Sequence, residues 1–238
     1  MDARKSRTIT AVMFILAAGL ILFGAIGGTR SVLMSSETHK TEIATKSIDI
    51  CLNENGKQVA EDQQLLEGLL GDDANVCVGK KYPETLSITN NGEIAQYVRM
   101  TIRKYWKAKD VKKTDLKPQE IILGLTGNGW IQDKDKSTPE RTVLYYRQPL
   151  AAGDTTKDAI DGLTISTDVA RVVDQKVETK TENGKTYKTI TNVYAYNGME
   201  FGITAEADGI QTHNAEDAIK ASWSVSVDIS EDGTLSLK

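Results

Sequence analysis

One stretch without charge constrains this chain more than any other feature. From Thr8 to Thr29 no side chain carries a charge, and Ile9–Ile26 is almost wholly apolar. A run of that length covers the roughly 30 Å hydrocarbon core of a bilayer as a helix. Arg4, Lys5 and Arg7 precede it against a single Asp2, a basic flank of the kind that stays cytoplasmic under the positive-inside rule. The chain is therefore expected to be exported, with residues 1–31 as its membrane-targeting segment. Two fates stay open for that segment, removal as a signal peptide or retention as an anchor. Its end, Gly27-Gly28-Thr29-Arg30-Ser31, favours removal. Glycines stop a helix, and Thr29 and Ser31 offer small side chains on either side of Arg30 for a cut between Ser31 and Val32.

Beyond that cut the chain is acidic. Residues 32–238 carry 25 lysines and arginines against 32 aspartates and glutamates, a net charge of -7. That balance favours solubility and speaks against nucleic acid or an anionic lipid surface as partner. A membrane is met only through the N-terminal segment. Cys51 and Cys77 are the only cysteines. Outside the membrane an even pair is expected to join, and closing a loop of that length contributes about 3 kcal/mol in the chain-entropy model. Two unpaired thiols are the alternative.

Period-two alternation dominates the rest. Ile48, Ile50 and Leu52 alternate with Ser47, Asp49 and Cys51; Leu86 and Ile88 alternate before Asn90-Asn91-Gly92. Val98, Met100, Ile102 and Trp106 share one face of a long strand, with Arg99, Thr101, Arg103 and Tyr105 on the other. Phe201, Ile203, Ala205 and Ala207 form another such row, and Trp223, Val225, Val227 and Ile229 a third. This is the pattern of half-buried strands in antiparallel sheets. Asn-Gly or Asp-Gly pairs at 55–56, 91–92, 183–184, 197–198 and 232–233 punctuate it, as tight turns require. Lys176–Thr181 and Lys185–Val193 read as a polar, two-sided hairpin. Lys57–Leu70 reads as a short amphipathic helix, Asn214–Ala221 as a second helical turn capped by Asn214, and Pro118 opens a third. The expected fold is all-β: a jelly-roll-like antiparallel β-sandwich over residues 47–238 with short helical insertions. A free mature N-terminal segment, 32–46, precedes it, and the hydrophobic helix stands before that.

The chemistry of the side chains points away from catalysis. His39 and His213 are the only histidines and stand in no metal-ligating spacing, so neither a zinc centre nor a Ser-His-Asp arrangement has its imidazoles. Nucleophile-elbow, phosphate-loop and Cys-x-x-Cys motifs are absent. The alternating lysines of Asp133-Lys134-Asp135-Lys136 cancel the field a calcium ion would need, and Asp72-Asp73 lacks further oxygen ligands at loop spacing. Tyr145-Tyr146 and Tyr194/Tyr196 would serve a carbohydrate platform only if exposed; packing across a sheet is the commoner role. No catalytic residue, metal or cofactor is assigned, and the chain is read as no enzyme.

Three blocks carry a resemblance. Gly27-Gly28-Thr29-Arg30-Ser31 resembles the export boundary of the TasA and camelysin-like proteins of Gram-positive bacteria, which are cut by a dedicated SipW-type signal peptidase. Leu86–Gly92 followed by Gln96-Tyr97-Val98-Arg99 is similar to that family's early hairpin, and Ala207–Ala215 followed by Ala221-Ser222-Trp223 to its C-terminal block. The resemblance implies a jelly-roll-like subunit of extracellular fibres in a biofilm matrix or on the cell surface. The partner it implies is another copy of the chain, whose mature N-terminal strand completes a neighbour's sheet. That strand falls on Val32–Lys46, with Val32, Leu33, Met34, Ile43 and Ala44 as apolar contacts. A membrane-tethered extracellular binding module is the alternative. The proteolysis ascribed to camelysin is not carried over, since no zinc-ligand set exists.

Overall fold

A computed structural model describes residues 47–60, 65–66, 68–69 and 75–238. Residues 1–31, read as a targeting segment, the expected cut between Ser31 and Val32, and the segment 32–46 lie outside the described residues. No helix among the described residues is long and apolar enough to cross a membrane.

The structure is mostly antiparallel sheet. The first sheet runs in the order β2 (Lys57–Gln58), β1 (Ile50–Glu54), β4 (Leu86–Asn90), β10 (Ile160–Ile165), β3 (Lys81–Tyr82), with β7 (Ile121–Leu125) also on β10. The second runs β13 (Glu200–Gln211), β5 (Gln96–Ala108), β9 (Arg141–Tyr146), β8 (Trp130–Gln132), with β6 (Val111–Lys113) beside the end of β5. The alternation on β5 explains their packing. Val98, Met100, Ile102 and Trp106 are buried together with Leu86 and Ile88 of β4 and Ile160 and Leu163 of β10. The two sheets therefore share one apolar layer. Burying each such side chain stabilises the fold by about 1.5–3 kcal/mol.

The other face of the second sheet is covered too. Helix α1 (Ala215–Trp223) and the pair β14 (Val227–Ile229) and β15 (Leu235–Leu237) lie on it. Tyr97, Val143, Tyr145, Ile210, Ile219, Trp223, Val227 and Leu235 form this second core. That is why Thr101, on the face read as outward, is only 6% exposed. Trp223 belongs to the helix rather than to the strand that its spacing with Val225 implied. Asn214 does precede the helix, but in the left-handed conformation and without a side-chain cap.

Turn chemistry separates into two kinds. Asn55-Gly56 and Asn183-Gly184 both have positive φ, the type I′ geometry that joins two strands directly. They close β1 onto β2, and β11 (Val172–Glu182) onto β12 (Lys185–Tyr194). The β11–β12 ribbon is exposed along nearly its whole length, as its polar pattern implied. Asn91-Gly92 forms no hairpin. Asn90 Oδ1 accepts from the Gly92 N–H at 2.9 Å and from Gln96 Nε2 at 2.6 Å, and the chain crosses from the first sheet to the second. Pro118 opens the expected helical turn, Pro118–Glu120. The Lys57–Leu70 helix does not form over its described part. Residues 57–58 are strand, and Leu66 and Gly68 sit at φ 72° and 78°, incompatible with an α-helix.

Candidate functional site

Along one side of the two sheets the edges do not close. β13 is an edge strand, paired to β5 from Glu200↔Lys107 to Gln211↔Gln96, with no ladder partner on its other side among the described residues. Opposite it, β1 pairs with β4 along its length, and its other side is engaged only from Leu52 onward, by Val59 and β2. Between the two edges lies a cleft of about 1250 Å³.

The alternation decides what faces it. Phe201, Ile203, Ala205 and Ala207 of β13 pack toward the inter-sheet core, as do Ile50 and Leu52 of β1. Leu65, Leu66 and Val76 extend the β1 wall, and Ile165 and Val169 line the cleft deeper in. The backbones of Gly202 and Thr204, whose side chains belong to the other face, also border the cleft. An edge strand without a second ladder partner among the described residues thus meets a cleft lined by both apolar and polar side chains, a combination that can accept an added strand.

The cleft tapers. A Cβ built on Gly209 would lie 3.2 Å from Ile50 Cγ2, so the two edges approach closely there, and a side chain at 209 would force them apart. At the other end the trough is aromatic. Trp106 is 3% exposed, donates from Nε1 to the Lys117 carbonyl at 2.9 Å, and meets Tyr196 edge-on at 4.8 Å and Phe201 at 6.1 Å. Tyr196 is further held by the Lys117 N–H, which donates to its hydroxyl at 3.2 Å. A rigid aromatic end and a small-residue stretch at Ala205 and Ala207 give the trough unequal pockets along its length.

One wall has an electrostatic latch. Glu54, at the end of β1, accepts the Leu66 N–H at 2.5 Å. Glu84, 2% exposed, accepts from Asn55 Nδ2 at 3.1 Å, while its Oε1 has no donor. Burial foremost, opposed by Asn55 and reinforced by the neighbouring Glu54, pushes Glu84 up to about 7. A proton carried by Glu84 removes its like-charge repulsion with Glu54.

The cysteines do not pair. Cys51 and Cys77 are free thiols, against the expected bridge. Cys51 lines the cleft, 3.8 Å from Asn53 Oδ1. Cys77 is exposed; Val76 and Val78 on either side of it border the cleft and it does not. The two thiols therefore face different surroundings.

Of Tyr145, Tyr146, Tyr194 and Tyr196, three pack against tryptophans, and Tyr194 alone is exposed. Tyr145 packs on Trp223 at 5.5 Å, Tyr146 on Trp130 at 5.1 Å, and Tyr196 on Trp106. Asp133 turns its carboxylate onto the Asp135 and Lys136 N–H groups at 3.0 Å, which fixes a loop. No group of three or more metal-ligating side chains occurs among the described residues. His213 is exposed in the turn before α1, and His39 and Asp72-Asp73 lie outside the described residues. Of the assigned site residues, only Cys51 and Cys77 are described. The cleft itself was missed, although the β13 row, unmatched by a second strand in the sequence, was its signal. Comparison with protein-family models, with curated proteins and with solved structures found no match.

Proposed function

We propose that this chain is an exported structural subunit that assembles with copies of itself by exchanging its mature N-terminal strand. The observation that carries the reading is the cleft beside a 12-residue edge strand that has no second ladder partner among the described residues. The proposed occupant is Val32–Lys46 of a neighbouring copy. Fifteen extended residues reach about 50 Å, and the stretch of β13 bordering the cleft, Glu200–Ala207, needs about 26 Å. The segment can therefore leave one subunit and still fill the trough of the next.

The chemistry is complementary. Val32, Leu33, Met34, Ile43 and Ala44 supply apolar side chains, and the segment's backbone supplies the hydrogen bonds that β13 lacks, each worth about 0.5–1.5 kcal/mol net. The described chain starts at Ser47, whose carbonyl accepts the Glu93 N–H at 3.0 Å. Ser47, the residue at which a donor segment 32–46 would join the described chain, therefore sits beside the β4–β5 crossing, near the narrow end of the cleft. A donor that enters a different copy makes a head-to-tail contact, and such contacts propagate as fibres. In this reading the sheets are a jelly-roll-like sandwich of the TasA type, residues 1–31 are removed by a SipW-type signal peptidase, and the product acts at the cell surface or in a biofilm matrix without enzymatic activity.

Negative-stain microscopy of the 32–238 product tests the reading. Filaments are expected from the parent chain and not from Ala205→Asp, which sets a carboxylate in the trough. A parent that stays monomeric at high concentration overturns it.

A further inference from the structure

On the outer face of the second sheet, away from the cleft, a hollow of about 270 Å³ is lined by Arg99, Arg103, Lys136 and Arg141, with Glu206 the one acidic lining residue. The ladder register explains how so many cations meet there. Arg99 stands opposite Tyr145, Thr101 opposite Val143, and Arg103 opposite Arg141. Like charges directly opposite in an antiparallel pair are destabilising, so the Arg103–Arg141 pair calls for compensation.

The sheet compensates only in part. Arg99 donates from Nε and Nη2 to Asp208 Oδ2 at 2.9 and 2.8 Å, and Arg103 pairs with Glu206 at 2.5 Å. Arg141 has no acidic partner among the described residues. Its Nε and Nη2 donate to the Lys136 carbonyl at 3.0 and 2.7 Å, a neutral oxygen. Lys136 likewise has no acidic partner among the described residues.

The floor of the hollow is fixed. Tyr145 is wholly buried there, with its hydroxyl within reach of the charges of Asp133, Arg99 and Asp208. Its ring is fixed by Trp223 on one side, and Trp223 in turn lies under the Arg99 guanidinium at 5.2 Å. A fixed aromatic floor beside guanidinium groups with donors to spare is the equipment that receives an oxyanion.

We infer that this hollow binds a single oxyanion group, a carboxylate, sulfate or phosphate, between Arg103, Arg141 and Lys136. The volume lies just below the range of sites for drug-sized ligands, so one charged group or one acidic sugar fits. The group arrives either as a free ion or on a polymer, and the same three cations receive it in both cases. On a chain of negative net charge a localised basic hollow also steers the anion, and the effect is screened as salt rises.

Calorimetric titration of the 32–238 chain with sulfate, phosphate and glucuronate, each against chloride at matched ionic strength, tests the inference. Saturable one-to-one binding is expected for all three, with mutual competition. Arg141→Gln and Arg103→Gln should each weaken it about tenfold or more, while Lys188→Gln on the distant ribbon leaves it unchanged. Because Arg141 also holds the Lys136 carbonyl, Arg103→Gln is the variant that separates lost binding from a disturbed loop. An oligo-glucuronate that binds at least tenfold more tightly than the monosaccharide assigns the group to a polymer; equal affinities per site assign it to a free ion. Absence of saturable binding, or binding indifferent to both arginine substitutions, overturns the inference.

Discussion

Replacing Glu84 by glutamine should change the pH dependence of stability rather than stability as such. Glu84 titrates near 7 in the folded chain instead of its ordinary 4.5. Between those values the folded state binds more protons than the unfolded one, so stability falls as pH rises through that window and levels off above it. Each tenfold change in proton affinity is worth about 1.4 kcal/mol, which makes the full loss about 3 kcal/mol. The Asn55 hydrogen bond, which favours the charged form, opposes the shift, and about 2–3 kcal/mol is the working figure. Glutamine keeps the shape. It can accept from Asn55 and donate toward Glu54, and it has no proton to lose. For a domain of this size that corresponds to about 5–10 °C in Tm. Thermal or urea unfolding of parent and Glu84→Gln chains at pH 5 and pH 8.5 provides the assay. The parent should lose about 2–3 kcal/mol more than the variant on going to pH 8.5. Parallel curves would refute the raised proton affinity of the buried Glu84 carboxyl.

Two further substitutions separate the core from the ribbon. Trp223→Ala removes the ring that seals the second core against Tyr145 and Ile219 and should cost about 3–5 kcal/mol by denaturant unfolding. Gly184→Val forces a β-branched residue to φ 74° at the tip of the β11–β12 ribbon, where nothing crowds it. It should cost about 1–2 kcal/mol of local ribbon order. Amide exchange at Thr181 and Thr186 should accelerate while the global Tm stays unchanged.

Much of the sheet was legible because burial on one face writes itself into every second residue. The rows on β5 and β13, and the Asn183-Gly184 turn, are read directly from spacing. Features set by distant partners were not. Thr101 is buried because a helix more than a hundred residues later lies over it. Trp223 alternates with Val225 as a strand would, yet caps that helix because its ring finds Tyr145. Asn91-Gly92 has hairpin composition, but the Asn90 and Gln96 side chains redirect the chain between sheets. Lys109-Asp110 makes the β5–β6 turn with positive φ at both residues and no glycine to announce it. The cleft is illegible for the same reason: it exists only where two strands from opposite ends of the chain fail to meet.

That gap is what strand exchange would fill, and a thiol already lines it. In the 32–238 chain carrying Ile43→Cys and Cys77→Ser, mild oxidation can join position 43 only to Cys51 or to another position 43, and an Ile43→Cys, Cys51→Ser, Cys77→Ser chain identifies the latter. The account predicts a ladder of covalent oligomers that needs Cys51. A monomer bridged within itself, or no bridge to Cys51 at all, would contradict it.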